Sequence, residues 1–164
     1  MLLPRTRLRR IESLGEVAGY VASVNPGVVL IVDVDNTLVP QGLPPDEFRA
    51  TVDEALDWLD ALSGVRRVIA ITNGPHRGVD RLMARGNKPW TSRRRLGLTN
   101  RTELVVVVGD QVLTDGLLAW RLGGVHLHMA IDEEHEPSRQ AIMRRVGKVL
   151  ERVLFLEEDL ETAG

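Results

Sequence analysis

The amino-acid sequence predicts one α/β domain, built as a three-layer α/β/α sandwich with a central parallel sheet and helices on both faces. Short runs of β-branched residues alternate with longer amphipathic segments along the chain, which is the pattern of such a domain. Polar residues directly follow several of these runs. With 164 residues and 43% hydrophobic side chains, the chain has the size and balance of a single domain, to which we assign residues 1–164.

The first half of the chain predicts one β-α-β unit behind an N-terminal extension. Residues 1–27 form this helical extension, in which the helix is expected over residues 6–23. A buried strand follows at residues 28–34, because all of them but one are aliphatic. Residues 46–62 predict a helix with apolar side chains at helical spacing, and residues 67–71 predict the next strand.

The second half continues the alternation, so that residues 28–131 form the core of the domain. The elements predicted there are short helical segments at 75–84 and 91–96, strands at 104–109 and 125–131, and a helix at 111–122 between those strands.

Residues 132–164 predict an acidic loop followed by a C-terminal helix. Apolar residues recur on one side of this helix, and we expect that stripe to pack on the sheet. The stripe consists of Ile142, Val146, Val149, Val153 and Leu156.

Composition and charge exclude several classes of function. The chain has no cysteine, which excludes disulfide frameworks, thiolate nucleophiles and cysteine-ligated metal sites. A formal net charge of -2 gives no overall basic field, so we expect no nucleic-acid partner. The longest apolar runs, 28–32 and 104–108, are far shorter than the roughly 20 residues of a membrane-spanning helix. Because no export signal is visible either, we expect a cytoplasmic protein.

Polar residues follow three of the predicted strands, and in open α/β sheets ligands bind at these carboxyl ends. If the strands are neighbours, four carboxylates meet in one crevice, where like charges repel unless a cation neutralises them. The sequence therefore predicts a magnesium site. Its candidate residues are Asp33 and Asp35 after the first of these strands, Thr72 and Asn73 after the second, and Asp110 and Asp115 after the strand at 104–109.

These residues, with Lys88, resemble the four motifs of the haloacid dehalogenase (HAD) superfamily of phosphotransferases, in the same order along the chain. The resemblance implies a HAD-type, Rossmann-like fold, and the segment 36–45 is too short for a separate cap domain. The matching segments are Asp33-Val-Asp35-Asn-Thr37 for the nucleophile motif, Thr72-Asn73 for the Ser/Thr motif, Lys88 for the lysine motif, and Gly109-Asp110 with Asp115 for the acidic motif.

A narrower resemblance points to the YqeG type, a branch of HAD subclass IIIA that is similar to the phosphatidylglycerophosphate phosphatases. It is carried by Leu2-Leu3-Pro4, residues 35–39, Lys88-Pro89 and residues 109–115. The resemblance implies a Mg²⁺-dependent phosphomonoester hydrolase, and the favoured substrate is phosphatidylglycerophosphate, because an open site suits a phosphate presented on a membrane lipid.

The resemblance also implies a role for each candidate residue. Asp33 is the expected nucleophile, which forms an aspartyl-phosphate, and Asp35 is the expected general acid and base. Thr72, Asn73 and Lys88 are expected to bind the phosphoryl group, and Thr72 and Lys88 to stabilise its developing charge. The expected magnesium ligands are Asp33, Asp35 through its backbone carbonyl, Asp110, and Asp115 through water or as support for Lys88.

Other functions remain open from the sequence. The same chemistry could act on a soluble sugar, nucleotide or protein phosphate, and the site could bind Mg²⁺ and phosphate without catalysis. A phospho-acceptor signalling domain uses similar residues, but the order of its acidic motifs along the chain differs from the order here.

The segment between Thr72 and Lys88 has only 15 residues, fewer than the resemblance implies, and a strand within it is hard to find. Either Lys88 reaches the phosphate from a loop, or the sheet lacks a strand and the site is impaired.

Three charged or histidine-containing groups have weaker functional interpretations. Arg93-Arg94-Arg95 could bind an anionic headgroup or simply form a solvated helix. Four N-terminal arginines could contact an anionic membrane surface peripherally. A zinc site at three histidines is disfavoured, since exposed histidines on an edge strand would explain the pattern. The N-terminal group is Arg5, Arg7, Arg9 and Arg10 beside Leu2, Leu3, Leu8 and Ile11, and the histidines are His126, His128 and His135.

Overall fold

The computed structural model describes residues 5–24, 27–40, 42–74, 77–84, 88–100, 102–130 and 138–157. Its strands are β1 (Thr6–Ile11), β2 (Val28–Val32), β3 (Val65–Thr72), β4 (Leu82–Ala84), β5 (Leu104–Gly109), β6 (Val125–Met129) and β7 (Phe155–Glu157). Its helices are α1 (Leu14–Ser23), α2 (Pro45–Asp60), α3 (Leu117–Leu122) and α4 (Ser138–Leu154), with a 3₁₀ turn at Lys88–Trp90 and a π-helical turn at Val112–Gly116.

All seven strands belong to one parallel sheet, in the order β4-β3-β2-β5-β6-β1-β7. Side chains of α1 and α2 pack on one face of the sheet, where they meet Leu30 and Val32 of β2. Side chains of α3 pack on the other face with Val29 and Ile31, and α4 reaches the sheet on that side through Leu8. The prediction of a Rossmann-like, three-layer α/β fold with a central parallel sheet is confirmed.

The order of the strands places the ends of β2 and β5 side by side. From β2 the chain continues outward to β3 and β4, and it then crosses back to β5 on the other side of β2. At this crossing the backbone N–H of Asp33 donates a hydrogen bond to the Val108 carbonyl over 2.9 Å. Ligands of open α/β sheets bind at such a switch point, because the connections leave there in opposite directions and open a crevice.

The prediction of a helix over residues 6–23 is wrong for its first part, because residues 6–11 form β1. This strand lies inside the sheet between β6 and β7, with Leu8 and Ile11 buried. The helix begins only after Ser13, whose N–H donates to the Glu16 carboxylate over 3.2 Å in a capping box. The N-terminal segment is therefore part of the sheet and not a helical extension, since its partners in β6 and β7 override its local pattern.

Between Thr72 and β5 the structure has less helix than the sequence predicts. Residues 77–84 form turns and the short strand β4, which pairs with the end of β3. Residues 91–96, predicted as a helix, form turns after the 3₁₀ turn at Lys88–Trp90. The helix predicted at 111–122 starts as the π-helical turn, because the Gln111 carbonyl accepts hydrogen bonds from three successive N–H groups.

The apolar stripe predicted for the C-terminal helix does not pack on the sheet, so that prediction is wrong. Its four members on α4, and Leu156, which lies on β7, are 49% to 64% exposed. The helix instead packs through a neighbouring side, where a Cβ on Gly147 would lie 3.2 Å from the Cβ of Val112. Leu150 and Leu154 join the same cluster as Val112 and Leu8. Among the described residues no helix is long and apolar enough to cross a membrane.

The prediction that the histidines lie exposed on an edge strand is also wrong. Strand β6 lies between β5 and β1, and His126 on it is fully buried. His128 is partly buried, and His135 lies outside the described residues. Burial, and next the charge of His128, hold the pKa of His126 well below its usual value.

We expect the buried His126 to make the protein less stable in mild acid. The folded state keeps this imidazole neutral, whereas the unfolded chain binds a proton there below about pH 6.5. The free energy of unfolding therefore falls with decreasing pH, by up to about 1.4 kcal/mol per pH unit from this group. In His126→Leu the loss between about pH 7 and 5.5 should be smaller by about 1 kcal/mol, as measured by urea denaturation. Equal losses in both proteins would contradict this role.

Candidate active site

Three carboxylates meet at the switch point between β2 and β5. Asp33 directly follows β2, Asp110 directly follows β5, and Asp115 lies in the π-helical turn. All three side chains are buried, and one oxygen of each lies within 4.8 Å of the others. Three of the four carboxylates predicted to converge thus form one buried group, which we call the Asp cluster.

Lys88 reaches the Asp cluster in spite of the short segment that precedes it. Its Nζ lies 2.6 Å from Asp33 Oδ1 and 2.6 Å from Asp115 Oδ1, and the whole residue is 1% exposed. The Asn73 side chain accepts a hydrogen bond from the Lys88 backbone N–H over 3.1 Å. Strand β4 ends at Ala84, and Lys88 follows it after residues 85–87 of the sequence.

Asp35, predicted with the metal ligands, lies apart from the Asp cluster. Its Oδ1 accepts a hydrogen bond from Arg77 Nη1 over 2.8 Å, and its Oδ2 accepts one from the Thr72 hydroxyl over 3.3 Å. The Thr72 oxygen in turn accepts the Gly74 N–H over 2.9 Å. The expected metal contact of Asp35 through its backbone carbonyl stays a prediction, and its carboxylate faces Thr72 and Arg77.

The buried charges of the Asp cluster change the proton affinities of its members. Burial, and next the charge of Asp115, raise the pKa of Asp33 to about 8. The same two causes raise the pKa of Asp110 to about 7. Burial alone would lower the pKa of Lys88, but the charges of Asp115 and Asp33 outweigh it and raise that pKa. The cluster therefore contains more negative charge than Lys88 alone neutralises.

The Asp cluster fits a divalent cation. Three carboxylates and one ammonium leave two formal negative charges, which one Mg²⁺ would neutralise. Asp110 Oδ1 is buried without a hydrogen-bond partner, so it is available as a ligand. Carboxylate oxygens are the ligands that Mg²⁺ prefers. We expect Asp33 and Asp110 to hold the ion, with Asp115 beside it.

The position of Asp115 requires a glycine at residue 109. A Cβ at Gly109 would lie 2.2 Å from the Asp115 Cγ, closer than any real contact. Asp115 Oδ2 accepts hydrogen bonds from the Gln111 N–H over 3.2 Å and from the Thr114 hydroxyl over 3.3 Å. The π-helical turn thus places the Asp115 carboxylate next to Gly109 at the end of β5. The other oxygen of this carboxylate, Oδ1, pairs with Lys88 there.

Four further residues near the site were not assigned to it from the sequence. Arg77 pairs with Asp35, and the Asn36 side chain donates to Asp110 Oδ2 over 3.4 Å. His128 Nε2 lies 3.0 Å from the Asp110 carbonyl oxygen, while Arg10 donates to its Nδ1 over 3.1 Å. Asn36 lies inside the nucleophile motif and could have been suspected, whereas Arg10 and His128 reach Asp110 only through the pairing of β1 with β6.

Arginines from two of the weaker sequence interpretations form contacts within the protein. Arg93 donates to the carbonyl oxygens of Leu122 and Asn100 over 2.9 and 2.7 Å, which ties its loop to the end of α3. At the N-terminus, Arg10 pairs with Glu151 and Glu157. Leu2 and Leu3, which were expected at a membrane surface, lie outside the described residues.

We expect Gly109→Ala to be strongly destabilising, because the new methyl group would overlap the Asp115 side chain. The expected loss is about 1–3 kcal/mol in the free energy of unfolding, measured in urea. The matched control is Gly19→Ala on α1, where a Cβ meets nothing within 4 Å and alanine favours the helix. Similar effects of the two substitutions would contradict the close contact.

We expect Mg²⁺ to stabilise the protein through the Asp cluster. In EDTA, Asp110→Asn should be at least as stable as the wild type, because it removes one of three buried like charges. Mg²⁺ at about one hundred times its Kd should stabilise the wild type by about 2.7 kcal/mol and the variant far less. Calorimetric Tm values measure both effects, with Asp57→Asn on the exposed side of α2 as control. Equal Mg²⁺ shifts in Asp110→Asn and the wild type would rule out this site.

Comparison of the chain with protein-family models, with curated proteins and with solved structures found no match in any of the three. The structural basis for a function is therefore the Asp cluster together with Lys88.

Proposed function

We propose that the protein is a Mg²⁺-dependent phosphomonoester hydrolase of the HAD type. The observation that supports it most directly is the contact of Lys88 with both Asp33 and Asp115 inside the Asp cluster. A lysine that bridges two carboxylates beside a third, at the switch point of a parallel sheet, suits an anionic phosphoryl group bound through a cation.

The first proposed step transfers the phosphoryl group to Asp33. Lys88 bonds Oδ1 of this carboxylate and leaves Oδ2 to attack phosphorus. The bond between phosphorus and the ester oxygen breaks, and the carboxyl proton of Asp35 passes to that oxygen. Asp33 and Asp110 would hold Mg²⁺, whose positive charge would reduce the repulsion between the attacking carboxylate and the anionic phosphoryl group.

The second proposed step returns Asp33 to its free state. Asp35 takes a proton from a water molecule as the water oxygen attacks phosphorus, and the bond to Asp33 breaks to release inorganic phosphate. Thr72 and Arg77 position Asp35 beside the site, since in the structure they bond its two oxygens separately. Asn73 acts indirectly, because it fixes the backbone of Lys88.

Phosphatidylglycerophosphate is the substrate we favour, and it follows from the resemblance of the sequence motifs. An open site supports a large substrate: Asn73 at its rim is exposed, and only residues 33–44 separate β2 from α2. A soluble sugar, nucleotide or protein phosphate is the alternative. In a peripheral contact with a membrane, Leu8 and Ile11 would take no part, because both are buried in the sheet.

The proposal is tested by phosphate release from phosphatidylglycerophosphate in mixed micelles and from a panel of soluble phosphomonoesters, each with Mg²⁺ or EDTA. We expect turnover that requires Mg²⁺ and that Asp33→Asn abolishes without unfolding the protein, because the amide cannot act as the nucleophile. The control is Asp57→Asn, the same change on an exposed carboxylate of α2.

The outcomes separate the candidate functions. Turnover of the lipid alone supports the favoured substrate, and turnover of soluble esters alone keeps the mechanism but assigns a soluble substrate. Equal rates in Asp33→Asn and the wild type would refute the mechanism. A folded protein that binds Mg²⁺ and hydrolyses nothing would be a non-catalytic binding protein.

A further inference from the structure

A cavity of about 450 Å³ lies between the loop after β2, the first turns of α2 and the segment after β3. This volume is within the range of small-molecule sites. The side chains on its wall are apolar on one part and cationic on another, and none of them belongs to the Asp cluster. The wall includes Leu43, Pro45, Phe48, Arg49, Arg77 and Gly78.

Arg77 connects this cavity to the reacting groups. It lines the cavity, and its Nη1 bonds Asp35 Oδ1 over 2.8 Å. A Cβ on Gly74 would lie 3.5 Å from Arg77 Nη2, 3.6 Å from Asp35 Oδ2 and 3.3 Å from the Thr72 hydroxyl. The cavity therefore begins beside the carboxyl group that, in the proposed mechanism, protonates the departing oxygen.

The guanidinium group of Arg77 is held in a fixed orientation. Its central carbon lies 4.6 Å from the centroid of the Phe48 ring, in a cation–π contact. The Arg77 backbone has φ of 49°, a left-handed conformation that non-glycine residues rarely adopt. With Nη1 on Asp35, Nη2 of the same planar group carries two further N–H donors.

A second guanidinium group, that of Arg49, also lines the cavity. Arg49 Nη2 is 3.5 Å from where a Cβ on Gly78 would stand, so Arg49 and Arg77 come from different elements to the same wall. The Asp46 carboxylate is 3.7 Å from Arg49 but 99% exposed, and such surface pairs contribute little. Arg49 is thus available to an anionic ligand.

We infer that this cavity binds the leaving group of the substrate, and that Arg49 and Arg77 select leaving groups that carry a second phosphate. The inference rests on the proposed hydrolysis at Asp33. Guanidinium groups bind phosphate oxygens through paired N–H donors, and the apolar wall at Leu43 and Pro45 fits the carbon chain between two phosphates. The second phosphate can belong to a lipid headgroup or to a soluble bisphosphate.

The test compares 1,3-propanediol bisphosphate with propyl phosphate, which share a carbon chain and differ in the second phosphate. In Arg49→Gln, kcat/KM for the bisphosphate should fall about tenfold more than kcat/KM for propyl phosphate, since a charged hydrogen bond is lost. The control Arg66→Gln makes the same charge change at the amino end of β3, on an exposed residue, and should leave both values unchanged.

The third substrate compared in this test is phosphatidylglycerophosphate in mixed micelles. A selective loss in Arg49→Gln with the lipid supports a headgroup as the source of the second phosphate, and a selective loss only with the soluble bisphosphate supports a soluble source. Equal changes with bisphosphate and propyl phosphate would overturn this inference but not the proposed hydrolysis. Absence of turnover with every substrate would refute the hydrolysis and, with it, the assignment of a leaving-group site.

Discussion

The arrangement of the site depends on how an excess of buried negative charge is tolerated. Asp33, Asp110 and Asp115 lie together where water barely reaches, and within the described part of the chain Lys88 is the one cation that pairs with them. Burying ions costs free energy unless partners and hydrogen bonds compensate it. The surrounding structure supplies this compensation through the Asn36 amide on Asp110 and the backbone N–H of Gln111 on Asp115. The excess of negative charge that remains suits the cation of the proposed mechanism.

The sheet divides the groups of the proposed mechanism into two sets with different environments. On the β2–β5 side lies the buried Asp cluster with Lys88, which the proposal assigns to the phosphoryl group and Mg²⁺. On the β2–β3 side, Asp35 bonds Thr72 and Arg77 next to a cavity that is open to larger groups. Asp33 and Asp35 are only two residues apart, but the chain turns sharply after β2, where the Val34 carbonyl accepts three N–H groups. Bond making and bond breaking would thus occur on opposite sides of one short loop.

Much of this fold can be predicted from local pattern, and most of the failures have a common physical cause. Strands β2, β3 and β5 are rich in β-branched residues, and the candidate residues at their ends come together because parallel strands align those ends. Strand β1 was missed, since Arg7 pairs with Val125 and no local signal reports a partner so far along the chain. The same limit applies to Lys88, whose reach depends on the path of β4, and to Arg77, whose partner Asp35 lies on another strand end. The exposed stripe of α4 failed differently, because periodicity identifies an apolar side but not what covers it.

The pairing of β1 also bears on how the chain is made. Synthesis proceeds from the N-terminus, so β1 emerges from the ribosome before the other six strands, yet its neighbours β6 and β7 emerge after all the others. Until then Leu8 and Ile11 belong to an unpaired strand, the kind of segment through which nascent chains aggregate. Arg7, Arg9 and Arg10 interrupt its apolar residues with like charges, which oppose such association. The arginines of β1 thus oppose aggregation of this strand during the interval before β6 and β7 are available to pair with it.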